Sequence, residues 1–144
     1  MKVAFAYTSE ALQNFDDDAL ENLAVLSSKK NEQVGITGYL YFQGRHFLQY
    51  IEGPEDAIDS LMNVLKKDPR HRIGATVQLS NIRKRIFPRW YMRFLSNNFL
   101  QTKSKTIEDE LRFIVETAST EKSGREEFSS ALIQVTQRIA TLDC

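Results

Sequence analysis

Tyr7 ends the apolar run Val3-Ala4-Phe5-Ala6-Tyr7, and Gln49 interrupts Phe47-Leu48-Gln49-Tyr50-Ile51. In a strand, residues two apart share a face, so Tyr7 points with Val3 and Phe5, and Gln49 with Phe47 and Ile51. A phenol and a primary amide in such apolar rows are hydrogen-bonding groups that need partners. Left unmatched in a core, each would cost about 1–3 kcal/mol. Two outcomes are open: the pair satisfies itself, or it meets the polar edge of a ligand. Asn31 and Lys30 lie at the basic end of the first helical stretch, and Arg70 and His71 lie just beyond the second. A flat apolar ligand between those helices would set its polar edge against Asn31 and Gln49. A phosphate-bearing tail would emerge toward Lys30, Arg70 and His71, in the manner of small-molecule pockets that are apolar with a few convergent polar groups.

The familiar catalytic kits are absent. Two histidines (His46, His71) and one cysteine (Cys144) show no paired spacing for zinc or iron. Neither common glycine-rich phosphate loop occurs. The 19 basic and 19 acidic residues cancel, which argues against a general affinity for nucleic acid or an anionic membrane. A lone cysteine builds no disulfide framework and suits a reducing compartment. No apolar run approaches membrane-spanning length and no leader is visible, so the expectation is a soluble, cytoplasmic protein. Its 144 residues suit one domain of ordinary size that buries its own core.

The elements that must position these residues follow from periodicity. Residues 2–8 read as a strand. Asp16-Asp17-Asp18 opens a helix whose stripe is Leu20, Leu23, Ala24 and Ser27 and whose end is Lys29-Lys30. Residues 35–42 and 45–52 form a hairpin joined at Gln43-Gly44. Gly53-Pro54 opens a second helix with the stripe Ile58, Leu61, Met62 and Leu65, ended by Asp68-Pro69. Residues 73–82 and 90–95 read as further strands, with Arg83-Lys84-Arg85 a solvated loop between them. The order β-α-β-β-α-β-β gives an α+β, ferredoxin-like sheet with both helices on one face. In that topology strands one and three are adjacent, which brings Tyr7 beside Gln49. Beyond residue 95, Ile107, Leu111, Ile114, Ala118 and then Phe128, Leu132, Val135, Ile139, Leu142 form two narrow helical seams, broken at Ser123-Gly124. These helices either cap the open sheet face or serve self-association or a partner.

The residues resemble the BLUF domains, blue-light sensors that bind flavin. The likeness covers residues 1–95. It rests on Tyr7-Thr8-Ser9, Lys-Lys-Asn-Glu-Gln-Val-Gly-Ile-Thr-Gly at 29–38, and Gly-Arg-His-Phe-Leu-Gln-Tyr-Ile-Glu-Gly-Pro-Glu at 44–55. Asp-Pro-Arg-His-Arg at 68–72 and Phe-Pro-Arg-Trp-Tyr-Met at 87–92 continue it. The resemblance implies that Tyr7 is the photoactive electron and proton donor, and that Gln49 is the amide that rearranges beside the flavin. It implies that Asn31 anchors the pyrimidine edge, with Lys30, Arg70 and His71 near the ring edge and tail and Ser9 and Ser27 as lesser contacts. Trp90 and Met92 match the fifth-strand pair that competes for the pocket and relays the signal. Tyr91, where the family usually has a small residue, is a departure; alternation would turn it toward the C-terminal helices.

The implied cofactor is flavin: FAD first, with FMN or riboflavin compatible. The implied organisation is a sensor over 1–95 and a helical extension over 96–144 for output or oligomerisation. About fifty residues after the sensor leave no room for an output enzyme. The effect is therefore expected to pass to a separate signalling protein or through homo-oligomerisation. A flavin-dependent redox enzyme and a ligand-free interaction module are the alternatives.

Overall fold

The computed structural model describes residues 2–79, 82–119 and 125–142. Five strands lie in the order β4-β1-β3-β2-β5. They are β1 (Lys2–Ala11), β2 (Thr37–Gln43), β3 (His46–Pro54), β4 (His71–Leu79) and β5 (Arg93–Leu95). β1 sits between antiparallel β3 and β4, and β2 pairs antiparallel with β3 and parallel with β5. α1 (Asp17–Val34) and α2 (Glu55–Lys67) are the crossovers, and α3 (Asn97–Lys103), α4 (Lys105–Ser119) and α5 (Arg125–Ile139) follow the sheet. A short 3-10 turn covers Ala140–Leu142.

Alternation along the strands builds two cores. Val3, Tyr7, Leu40, Phe47 and Ile51 meet Leu20, Ile58 and Met62 of α1 and α2. The opposite face carries Ala4, Ala6, Tyr39, Tyr41, Leu48 and Tyr50 against Leu100, Ile107, Leu111, Leu132, Val135 and Ile139. The C-terminal seams therefore cover the second face of the sheet. The Tyr39 hydroxyl meets Thr136 Oγ1 at 2.8 Å, tying β2 to α5. Arg138 pairs with Glu110 across α5 and α4. The expected break at Ser123-Gly124 and the terminal Cys144 lie outside the described residues.

Several boundaries move. Asp16 caps α1, its Oδ1 accepting from Ala19 N at 2.8 Å. The helix then runs past Lys29-Lys30 to Val34 and stops at Gly35, whose φ of 76° is the left-handed cap. Asn31 is thus a helical residue of the last turn. The hairpin turn is Gly44-Arg45, because Gln43 and His46 still pair. β4 is described to Leu79, the expected continuation over 80–81 lying outside the described residues, and β5 is three residues long, so Trp90, Tyr91 and Met92 precede the strand. Arg85 is no solvated loop residue: its guanidinium donates to Gly35 O at 2.6 Å, Thr37 Oγ1 at 3.0 Å and Glu52 O at 3.1 Å.

A bulge in β4 matters for the site. Tyr7 pairs with Thr76 and Ser9 with Ile73, so two steps along β1 match three along β4. The Thr8 hydroxyl accepts from Ala75 N at 3.2 Å at that point. One extra residue reverses which face a given parity takes. His71 and Ile73 look toward α1 and α2, whereas Ala75, Val77 and Leu79 join the core under α4 and α5.

Candidate functional site

Tyr7 and Gln49 stand directly opposite in the β1–β3 register, and the Tyr7 hydroxyl donates to Gln49 Oε1. Both side chains are buried. Burial pushes the Tyr7 phenol well above its usual pKa, and the nearby Asp68 carboxylate adds to the rise. The phenol is therefore protonated and serves as the donor of the pair. The other end of the Gln49 amide, Nε2, reaches Met92 Sδ at 3.5 Å. Phenol, carboxamide and thioether form one file under α1 and α2.

A cleft opens beside this file. Phe15, Leu23, Leu40, Phe47 and Leu65 make its apolar lining, and Tyr7, Gln49, Ser27, Asp68, Arg70 and His71 supply its polar groups. His71 is held at both nitrogens. Leu65 O, 2.9 Å from Nε2, can only accept, so Nε2 carries the proton. Nδ1, 2.8 Å from Ser9 Oγ, then accepts from that hydroxyl in the neutral ring. The imidazole also meets the Tyr7 ring edge-on, with centroids 6.0 Å apart. Arg70 is clamped by Asp68, Nε to Oδ1 at 2.9 Å and Nη2 to Oδ2 at 2.6 Å. These bonds hold the Asp68 carboxyl down to about 2.

The structure thus brings Tyr7, Ser27, Gln49, Arg70 and His71 to one cleft, with Ser9 behind His71 and Met92 behind Gln49. Asn31 and Lys30 lie outside this lining, and Trp90, one of a pair whose inward member the sequence leaves open, faces the other core. Asn31 is buried, but its Nδ2 donates to Tyr91 O at 2.8 Å and it does not line the cleft. Lys30 is exposed on α1, outside the cleft, because the helix continues past it. Trp90 belongs to the opposite core, stacked on Phe87 at 5.0 Å, because residues 90–92 lie before the strand, with bends at 91 and 92, and the period-two rule fails there. Met92 is therefore the inward member of the pair. Sequence reasoning missed Asp68, whose only signal was its place two residues before Arg70, and the apolar lining from Phe15 and Leu23.

Among the described residues no helix is long and apolar enough to cross a membrane, and no three His, Cys, Asp or Glu side chains gather as a metal site. The cleft suits a flat, largely apolar ligand with a hydrogen-bonding edge against Gln49.

Comparison with known proteins agrees. The photoactivated adenylate cyclase subunit beta of Euglena longa is 31% identical over 97 residues, which is 67% of this chain and 11% of that protein. The whole cyclase is thus far longer than the shared segment. The dark-state structure of BlrB, a BLUF protein, superposes with a TM-score of 0.74 at 29% identity, covering 97% of this chain and 96% of that one. Klebsiella pneumoniae BlrP1 with FMN and cyclic diGMP gives a TM-score of 0.63 at 32% identity, over 78% of this chain and 30% of that one. The family model described as sensors of blue-light using FAD matches residues 3–93, and the chain belongs to that BLUF family.

Proposed function

We propose that Tyr7, Gln49 and Met92 are the photoactive relay of this blue-light photoreceptor, with flavin held in the cleft between α1 and α2. The observation that carries the assignment is the continuous contact from the Tyr7 hydroxyl through the Gln49 amide to Met92 Sδ. Gln49 would meet the ring's polar edge, the apolar lining its faces, and Arg70 and His71 the tail. FAD is the family's cofactor, and FMN shares the same ring.

Bound flavin supplies blue absorption and, once excited, a strong oxidant. Tyr7 would supply the electron that the excited ring takes up, and its hydroxyl proton would leave through Gln49 Oε1, because burial keeps the resting side chain a phenol. With that proton gone, Gln49 Oε1 loses its donor and the amide is free to turn. Tyr7 then regains both particles, so the resting redox states return and only the amide arrangement differs. A turned amide no longer offers Nε2 to Met92 Sδ, and the thioether must repack. The product is a shifted conformational population rather than a converted substrate. The family is a sensor module, not an enzyme.

The effect passes to a separate signalling protein or through self-assembly of the chain, by way of the extension over 96–144. The named relatives couple the same module to effectors such as a photoactivated adenylate cyclase. Balanced charge leaves nucleic acid and membrane surfaces as poor partners.

An absorption spectrum before and after blue light tests the assignment. A small, reversible red shift is expected in the holoprotein, lost in Tyr7→Phe and in Gln49→Leu. A normal photocycle in Tyr7→Phe overturns the donor. Net photoreduction with turnover would favour a redox enzyme, and a colourless purified protein would favour a ligand-free module.

A further inference from the structure

On the sheet face turned away from the cleft, four side chains stand in file. Phe87 and Trp90 stack at 5.0 Å with planes 16° apart. The Arg93 guanidinium carbon lies 4.8 Å from the centroid of Trp90 and 4.7 Å from that of Phe99. The file therefore runs Phe87, Trp90, Arg93, Phe99, and its last member belongs to α3.

One end of this file is fixed. Glu52 is fully buried on β3, and its carboxylate accepts from Ile86 N at 3.0 Å, Phe87 N at 2.6 Å and the Tyr50 hydroxyl at 2.9 Å. Tyr39 and Tyr50 close on the Phe87 ring edge-on at 5.5 and 5.7 Å. Trp90 is held through its carbonyl, which accepts from Gly38 N at 2.7 Å. The other end lies on α3, whose Leu100 is buried in the same core. α3 is a seven-residue helix started by Ser96, whose Oγ accepts from Phe99 N at 3.0 Å. Met92 sits between Trp90 and Arg93 in the chain but on the cleft side, against Gln49.

We infer that Arg93 is the positioning residue that couples the Gln49–Met92 contact to α3. The inference rests on the relay proposed for Met92. A repacking of that side chain strains the backbone on either side of it. The Phe87–Trp90 side cannot yield, because a buried carboxylate and a strand amide hold it. The displacement therefore leaves through Arg93, whose planar cation lies against Trp90 on one hand and Phe99 on the other. A planar guanidinium can serve two rings at once; a lysine ammonium, compact and strongly hydrated, is a poorer link.

Amide hydrogen exchange of residues 97–103, in the flavin-loaded full chain in darkness and under continuous blue light, tests this. In the parent protein, light should change α3 exchange several-fold. Arg93→Ala should keep the flavin red shift but lose the light dependence in α3, and Arg93→Lys should lose most of it. Phe99→Leu removes the second ring without touching Trp90 and should uncouple α3 equally, which secures the test if Arg93→Ala folds poorly. Light-dependent exchange that persists in both Arg93→Ala and Phe99→Leu overturns the coupling, as does an intact red shift with unchanged α3 in the parent. A parent protein with no red shift overturns the photoreceptor relay itself, and the coupling with it.

Discussion

Asp68 shows how a single carboxylate sets the terms of the cleft mouth. It clamps Arg70 and faces Tyr7, so it restrains the cation while raising the phenol's pKa. Its own pKa falls from 3.8 to about 2, mainly through the Arg70 bonds. A depressed carboxyl stabilises the fold fully above its ordinary pKa, and that contribution is lost as the pH falls through the folded value. Thermal denaturation of the parent and of Asp68→Asn should therefore differ near neutrality, with the difference shrinking between pH 3.8 and about 2. A difference independent of pH would deny the ionic origin. The Tyr7–Gln49 pairing was legible because strand parity and the adjacency of strands one and three together fix it. Asp68 was not, because a carboxylate before proline reads as a helix stop whatever else it does. The end of α1 was read a few residues early for a related reason: a lysine pair suits a helix end, yet Gly35, not charge, decides where α1 stops.

Among the elements, β2 is the most constrained. Gly38 has φ 154°, and a Cβ there would lie 1.8 Å from the Tyr50 carbonyl oxygen. Its N–H also donates to the Trp90 carbonyl. Gly38→Ala should cost about 3 kcal/mol or more, since backbone cannot retreat as a flexible side chain can. A urea midpoint matching the parent's would contradict this. Helices and hairpin were readable from apolar period and turn glycines. The β4 bulge was not: one extra residue changes parity at no compositional cost, and Gly74 alone is a weak sign. The fifth strand was overextended for a similar reason. Trp90 and Met92, two apart, would share a face in a strand, but they precede β5 and join opposite cores.

At the scale of the whole chain, the sheet is a shared wall between the core under α1 and α2, beside the cleft, and the core under α4 and α5. Leu132 is buried on α5 in the second. Leu132→Ala should cost about 2–5 kcal/mol in chemical denaturation, while the native flavin band keeps its position because the cavity opens on the far side. A displaced band with unchanged stability would refute that separation. Capping by α4 and α5 was readable from the two seams; the short α3 was not, having one buried apolar residue, Leu100. The bulge gives β4 two allegiances, His71 to the cleft side and Val77 to the terminal helices. Linked equilibria are reciprocal, so any coupling that carries illumination outward must also run inward. A protein gripping α4 and α5 in darkness would then alter how fast the excited population fades, and the half-life of colour recovery would become a gauge of occupancy on the remote side.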